Sequence, residues 1–275
     1  PDGRYVAFAW NGEKQDNFDV YVATIGSGTP RRVTTDPASD FSPAWSPDGR
    51  MIAFLREIGN DRAALMLVAS TGGPEHRIAE TRKDQLTLQQ QLRTEQQLAG
   101  LAWSPDGHWD YASKMSPGEP HPGIYLFSVT GEKRKLTASP QGSFGDHAPA
   151  FSPDGQRLAF CRLLGYSASE IYLLSLDTKQ KPIGDVLRLT SHNRWSTNPV
   201  WMPGGHEILY VLRESYVHMR PQIRIRIAQG RPSSERTIPL EDEVWQVSAG
   251  RHLVYSRRRQ DTNIWRAKIP ARSGP

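Results

Sequence analysis

One tripeptide punctuates this chain. Pro-Asp-Gly turns, or worn forms of them, stand at Asp2-Gly3, Asp48-Gly49, Asp106-Gly107, Asp154-Gly155, Gly204-Gly205 and Ala249-Gly250 of a 275-residue sequence. The glycines follow one another at 46, 58, 48, 50 and 45 residues. Self-similarity of this period restricts the fold more than any local propensity does. The residues after each turn align as RYVAFAW, RMIAFLR, HWDYASK, QRLAFCR, HEILYVL and RHLVYSR. Three places past the glycine stand Val6, Ile52, Asp110, Leu158, Ile208 and Leu253; five places past it stand Phe8, Phe54, Ala112, Phe160, Tyr210 and Tyr255. Alternate residues of a strand share a face, so one strand type recurs six times.

Three more strand types recur around it. Before the turns run SPAWS, GLAWS, APAFS, NPVWM and EVWQV; after them come segments such as FDVYVATI, GIYLFSVT and EIYLLSLD, then PRRVTT, KRKLT and VLRLT. Four short strands in a unit of about 45 to 50 residues are the signature of a β-propeller blade, and helical-pair, leucine-rich and β-helix repeats do not have this period. The expected fold is all-β: one propeller domain over residues 1–275, with six four-stranded antiparallel blades and turns near 2-3, 48-49, 106-107, 154-155, 204-205 and 249-250. The first inner strand and the last outer strand are missing from this count, which leaves 22 strands, and the chain is expected to be a fragment of a larger protein.

Composition agrees. The 23 glycines and 21 prolines suit frequent turning, and a 37% hydrophobic fraction can fill a core. The lone cysteine, Cys161, rules out an internal disulfide and sits in the apolar run RLAFCR as a buried thiol. No apolar run approaches the roughly 18 residues of a membrane span, and no signal-like start is present. A net charge of +5 is spread along the chain and does not by itself select a partner.

The pattern SPAWSPDGRMIAFLR, followed by an IYLLSL strand and an RLT strand, resembles the TolB-like six-bladed propeller repeats of bacteria along essentially the whole chain. WNGEKQDNFDVYV with RRVTTDPASDFSPAWSPDG resembles, more narrowly, propellers at the C-terminal end of acidobacterial signalling proteins, behind a winged-helix domain of the CadC type or a serine/threonine kinase domain. The resemblance implies a binding or sensing module with no cofactor and no chemistry of its own. It also implies a covalently linked signalling domain and a protein partner or small ligand at the channel mouth, with no direct nucleic-acid binding by the propeller. Localisation stays open between periplasm and cytoplasm. The last two turns depart from the pattern by lacking Asp, and an insert at residues 80–98 lengthens the third unit.

Candidate chemistry is sparse. The repeated Asp2, Asp48, Asp106 and Asp154 read as turn-forming residues rather than a carboxylate ring. GYSAS at 165–169 half-matches a nucleophile elbow around Ser167, but a strand follows it where a helix is required. No histidine pair has metal-ligand spacing, and no metal site or catalytic residue is assigned. Asp110 interrupts an apolar column, for which a one-residue register slip in the third unit is the expected remedy. The 80–98 insert reads as a solvated loop, with a short partner-docking helix as the alternative. Binding is expected where strands two and three, and strands four and one, are joined. There Asp40, Asp146, His147, Arg194, Trp195 and Asn198 occupy comparable lead-in positions, with Arg213, Arg220 and Arg257 to Arg259 nearby. The alternatives to a signalling sensor are the substrate-gating propeller of a prolyl-oligopeptidase-like serine peptidase and, behind it, an enzyme site at the channel mouth.

Overall fold

A computed structural model describes residues 2–13, 17–59, 62–82, 100–107, 109–114, 123–128, 130–165, 168–213, 222–228, 232–238, 244–249, 253–257 and 263–267. Every regular element among them is a strand. The first unit contributes β1 (Tyr5–Trp10), β2 (Asp19–Thr24) and β3 (Ser27–Arg32); the second, β4 (Asp40–Trp45), β5 (Met51–Gly59), β6 (Arg62–Ala69) and β7 (Glu75–Arg82). The third gives β8 (Trp109–Lys114), β9 (Gly123–Ser128) and β10 (Lys133–Lys135). The fourth gives β11 (Gly145–Phe151), β12 (Arg157–Leu163), β13 (Ser169–Leu176) and β14 (Pro182–Arg188). The fifth and sixth supply β15 (Trp195–Trp201), β16 (Glu207–Arg213), β17 (Gln222–Ala228), β18 (Pro232–Ile238), β19 (Val244–Ala249), β20 (Leu253–Arg257) and β21 (Asn263–Ala267). Each unit is an antiparallel meander, and a single parallel pairing of Ser169 with Trp195 joins the fourth to the fifth.

The turns form as their composition dictates. Gly49, Gly107, Gly155 and Gly205 have φ between 68° and 73°, a region a Cβ disfavours. Ser46 Oγ donates to Asp48 Oδ1 at 2.6 Å, Arg50 N–H donates to the same oxygen at 3.0 Å, and Met51 N–H donates back to Ser46 Oγ at 2.9 Å. Ser152, Asp154, Gln156 and Arg157 repeat this arrangement. The RLT-type threonines have an equally local task. Thr34, Thr137 and Thr190 each accept, on Oγ1, the backbone N–H of Val20, Ile124 and Ile171 in the third strand of their own unit.

In the second and fourth units the second and third strands are largely buried on both faces, so the core lies between units. Ile52 and Phe54 pack back onto Val20, Val22 and Val33 of the first unit, while Ala53 and Leu55 pack forward with Tyr125 and Phe127 of the third. Leu158 and Phe160 repeat the backward contact with Ile124, Leu126 and Leu136, and Ala159 and Cys161 the forward contact with Trp201, Ile208 and Tyr210. Burial of each such large side chain contributes about 2 kcal/mol.

Three further contacts bind consecutive units. Trp103 Nε1 donates to Ala44 O, and Trp201 Nε1 to Ala150 O, both at 3.0 Å. Arg31 donates to the carbonyls of Ser70 and Thr71, and Arg134 to that of Lys179, each reaching the next unit's third-to-fourth turn. The turns also stack: a Cβ added to Gly107, Gly155 or Gly205 would stand 3.8, 3.5 or 3.7 Å from Cδ of Pro47, Pro105 or Pro153 in the preceding turn.

Two expectations for the third unit are not met. Residues 100–104, anticipated as its first strand, form no ladder. They lean on neighbouring units instead, through Trp103 to Ala44 and through Gly100, where a Cβ would meet Ala148 Cα at 3.3 Å. The register slip around Asp110 does not occur between β8 and β9. Asp110 pairs with Phe127 as Leu158 pairs with Leu174, because the apolar IYLFS strand fixes the pairing.

Candidate functional site: the lead-in ends of the first strands

Asp40 is the first residue of β4 and Asp146 the second of β11, and each lies opposite an arginine sixteen residues later, Arg56 on β5 and Arg162 on β12. Arg56 Nε and Nη2 each donate to one Asp40 carboxylate oxygen at 2.7 Å. Arg162 holds Asp146 likewise at 2.6 and 2.9 Å. Both carboxylates are fully buried and both arginines nearly so. Each guanidinium also lies over a ring of its own strand, Arg56 5.3 Å from the Phe54 centroid and Arg162 5.5 Å from that of Phe160. A forked, ring-stacked guanidinium suits arginine and not lysine. Burial pushes the Asp40 carboxyl above its ordinary range, against the opposing hydrogen bonds from Arg56. Burial also works against the Arg56 charge, but the hydrogen bonds it donates to Asp40 and Glu75 outweigh that and hold its pKa above the ordinary value.

Just past each clamp, and at the same place in the fifth unit, the strand bulges. Ser42, Ala148 and Asn198 have φ of 53°, 46° and 51°, each stands before a proline, and the register shifts across each position. The extra residue of a bulge kinks the strand and re-aims the side chains on either side of it. Asn198 is half-buried at its bulge and Arg194 is exposed just ahead of β15. Trp195 is 7% exposed and packs with Leu163 and Phe144. His147 is fully buried beside Asp146. The six sequence candidates therefore share one end of their strands but separate by depth: Asp40, Asp146, His147 and Trp195 lie within the framework, while Arg194 and Asn198 stand nearer solvent.

The arginines Arg56 and Arg162 were not among the candidates. Their signal was present as the repeated FLR and FCR, each sixteen residues after an Asp. In the fifth unit the same cross-strand position holds Ser196 and Leu212, so both charges are replaced together. Ser167, much of the 80–98 insert, Arg220 and Arg258 and Arg259 lie outside the described residues. Among the described residues no cluster of three or more His, Cys, Asp or Glu could hold a metal ion. Among them, too, no helix is long and apolar enough to cross a membrane.

The opposite ends of the strands carry the turns. A shallow depression there is bounded by Asp106, Asp154, Asp177 and Gln180. Asp154 and Asp177 accept hydrogen bonds within their own turns, from Ser152 and Gln156 and from Lys179 and Lys181. The repeated Asp residues are thus turn-formers, as the sequence indicates.

Residues 62–273 match the family described as TolB beta propeller domain. The chain belongs to that family. Among curated relatives, an uncharacterized peptidase, YuxL of Bacillus subtilis, is 30% identical over 161 residues, which is 58% of this chain and 20% of YuxL. A TolB homolog of Chlorobium luteolum is 26% identical over 162 residues, covering 59% of this chain and 32% of that protein. The TolB family chain thus spans about a fifth to a third of these two relatives. Crystalline TolB from Acinetobacter baumannii superposes with a TM-score of 0.71 at 19% identity, over 97% of this chain and 62% of that one, a likeness of fold.

Proposed function

We propose that this TolB-family chain is a non-catalytic, protein-binding propeller of six blades, closed by the two strands absent from the sequence count. We further propose that it forms the C-terminal sensor module of a bacterial signalling protein with a winged-helix or kinase effector. The observation that carries the binding role is the pair of buried clamps, Arg56 on Asp40 and Arg162 on Asp146, which fix the lead-in ends of β4 and β11. Loops held on such a rigid frame are where recognition concentrates. In this reading Asp40, Asp146, His147 and Trp195 hold the rim in shape, and Arg194 and Asn198 meet the partner. The relatives named TolB support a protein partner. No cofactor, metal or nucleic acid enters the scheme.

A photo-crosslinking residue at position 194 tests it in cells of the source organism. A defined protein adduct, absent when the same group replaces Thr178 on the turn-bearing end, is the expected result. Equal or no adducts at the two positions would remove the rim as the binding face.

One observation favours a second reading: the 30% identity to a peptidase raises a gating propeller attached to a hydrolase domain. Intact mass and peptide mapping of the natural product separate the two. An upstream effector domain supports the sensor, and a downstream hydrolase domain supports the gate.

A further inference from the structure

The fourth unit turns from its third to its fourth strand on a residue that the other units replace. Gln180 N–H donates to Asp177 O, as Gly72 N–H does to Ala69 O in the second unit and Gly131 N–H to Ser128 O in the third. The two glycines have φ of 84° and 91°, and Gln180 keeps the same left-handed region at 59°. A Cβ is disfavoured there, yet the fourth unit carries a whole glutamine side chain and keeps it 6% exposed.

That side chain lies under the shallow depression of the turn-bearing end. The depression is about 220 Å³ in volume and is lined by Gln180 with Pro105 and Asp106 of the third unit's turn, Asp154 and Gly155 of the fourth's, and Asp177. Gln180 Nε2 donates to Gly155 O at 3.3 Å. Its Oε1 is buried and accepts no hydrogen bond. A buried acceptor left unmet costs free energy, which a glycine at this turn avoids. One long bond to Gly155 is all that the fold gains from the residue.

The rest of the lining is rich in acceptors. Asp106 accepts the Ser104 hydroxyl, Asp154 the Ser152 hydroxyl and Gln156 N–H, and Asp177 the N–H groups of Lys179 and Lys181, in every case on Oδ1. Of the cations nearby, Arg157 Nη2 stands 3.5 Å from Asp154 Oδ2 but donates to Gly205 O at 2.8 Å, with its guanidinium over the Trp201 ring. Lys179 and Lys181 are exposed. Among the described residues no three acids could share one metal ion. Acceptors spread around a small hollow suit a planar cation with several N–H donors better than a point charge.

We propose that the depression between the third and fourth units binds a guanidinium group. Gln180 Oε1 accepts one of its N–H donors, and the carboxylates of Asp106, Asp154 and Asp177 supply the opposite charge around it. The same group occurs on free guanidino compounds and on the arginines of proteins. A hollow of this size takes the head group and leaves its tail in solvent. The site lies at the opposite end of the strands from Asp40 and Asp146 and does not rest on the rim reading.

The probe is N-acetyl-arginine amide, and its neutral isostere N-acetyl-citrulline amide is the control. Each is titrated into the isotope-labelled chain while the Gln180 side-chain amide and the Gly155 N–H resonances are followed. Gln180→Gly copies the turn of the second and third units, so this variant keeps the fold while it removes the acceptor. A saturable shift with the arginine probe is expected. Its affinity should fall about tenfold or more with the citrulline probe, and equally in Gln180→Gly read at Gly155. No saturable shift would overturn the site, equal binding of the two probes would overturn the cation, and unchanged binding by Gln180→Gly would overturn the role of Gln180. If Gln180→Gly fails to fold, Gln180→Met, of similar volume and without the amide, carries the same expectation. Photo-crosslinking from position 178 separates the two sources. A protein adduct that excess probe abolishes assigns the guanidinium to a partner's arginine, and no adduct assigns it to a free compound. The titration reads nothing at position 194, so the two proposals can fail separately.

Discussion

Arg162 closes its guanidinium on both carboxylate oxygens of Asp146, its cross-strand partner, with neither residue open to solvent. Removal of one member strands the other as a buried charge, which typically costs about 3 to 5 kcal/mol. Arg162→Met is therefore expected to lower the urea midpoint sharply. The double replacement Asp146→Ser with Arg162→Leu copies the pair already present at Ser196 and Leu212, and it should recover most of the loss. Equilibrium urea unfolding of the single and double variants measures the difference. A double variant no more stable than Arg162→Met would show that the clamp does more than neutralise its own charges.

The tryptophans make a sharper comparison because one of them lacks its acceptor. Trp103→Phe deletes the bond to Ala44 and should destabilise by about 1 to 2 kcal/mol beyond the loss of ring area. Trp45→Phe removes a buried donor that has no partner, so its cost should be visibly smaller. Thermal unfolding of the two variants side by side checks the ranking, and equal losses would contradict the assigned role of the indole N–H.

Acid should weaken the turns before it weakens the core. The Asp48 carboxyl is held below its ordinary range chiefly by the Ser46 hydroxyl, and the Asp177 carboxyl chiefly by the Lys181 backbone N–H. The Asp154 carboxyl is lowered too, since the bonds from Ser152 and Gln156 overcome a partial burial that acts the other way. A carboxyl whose folded pKa lies below its unfolded value near 3.8 stabilises fully above that pH. Its contribution disappears as pH falls through the folded value. The melting temperature should hold between pH 7 and about pH 5 and drop below pH 4. Asp48→Asn and Asp154→Asn should flatten that drop, and unchanged acid sensitivity in both would exclude these turns as its source.

Cys161 should be inert in the folded protein. Burial pushes its thiol up to about 12, and it packs between the fourth and fifth units. Labelling by a thiol reagent at pH 8 should proceed only through opening of that interface, at a rate that rises with urea. Fast labelling in native buffer would show the interface to be open.

Turn chemistry and period-two burial are local, so the Pro-Asp-Gly turns, the strand types and the columns at Ile52, Phe54, Leu158 and Phe160 were legible from the sequence. Depth was not. Asp40 and Asp146 look like loop acids in a lone sequence, and only the cross-strand register brings Arg56 and Arg162 onto them. The bulges at Ser42, Ala148 and Asn198 also left no local sign, because a residue before proline is ordinarily extended and alanine rarely adopts positive φ. Residues 100–104 share the first-strand pattern, yet their anchors lie in neighbouring units, and a sequence column does not record that.

The stacked turns have a mechanical consequence. Gly107 on Pro47, Gly155 on Pro105 and Gly205 on Pro153 tie the second to fifth units each to the next, and the tryptophan and arginine bonds do the same. Stability of that kind is a sum of nearest-neighbour terms. A chain stretched from its two termini should therefore yield one unit at a time, lengthening by about 160 Å with each release of some 48 residues. Under load, the molecule would act less like a single closed body and more like a row of fasteners opened in sequence.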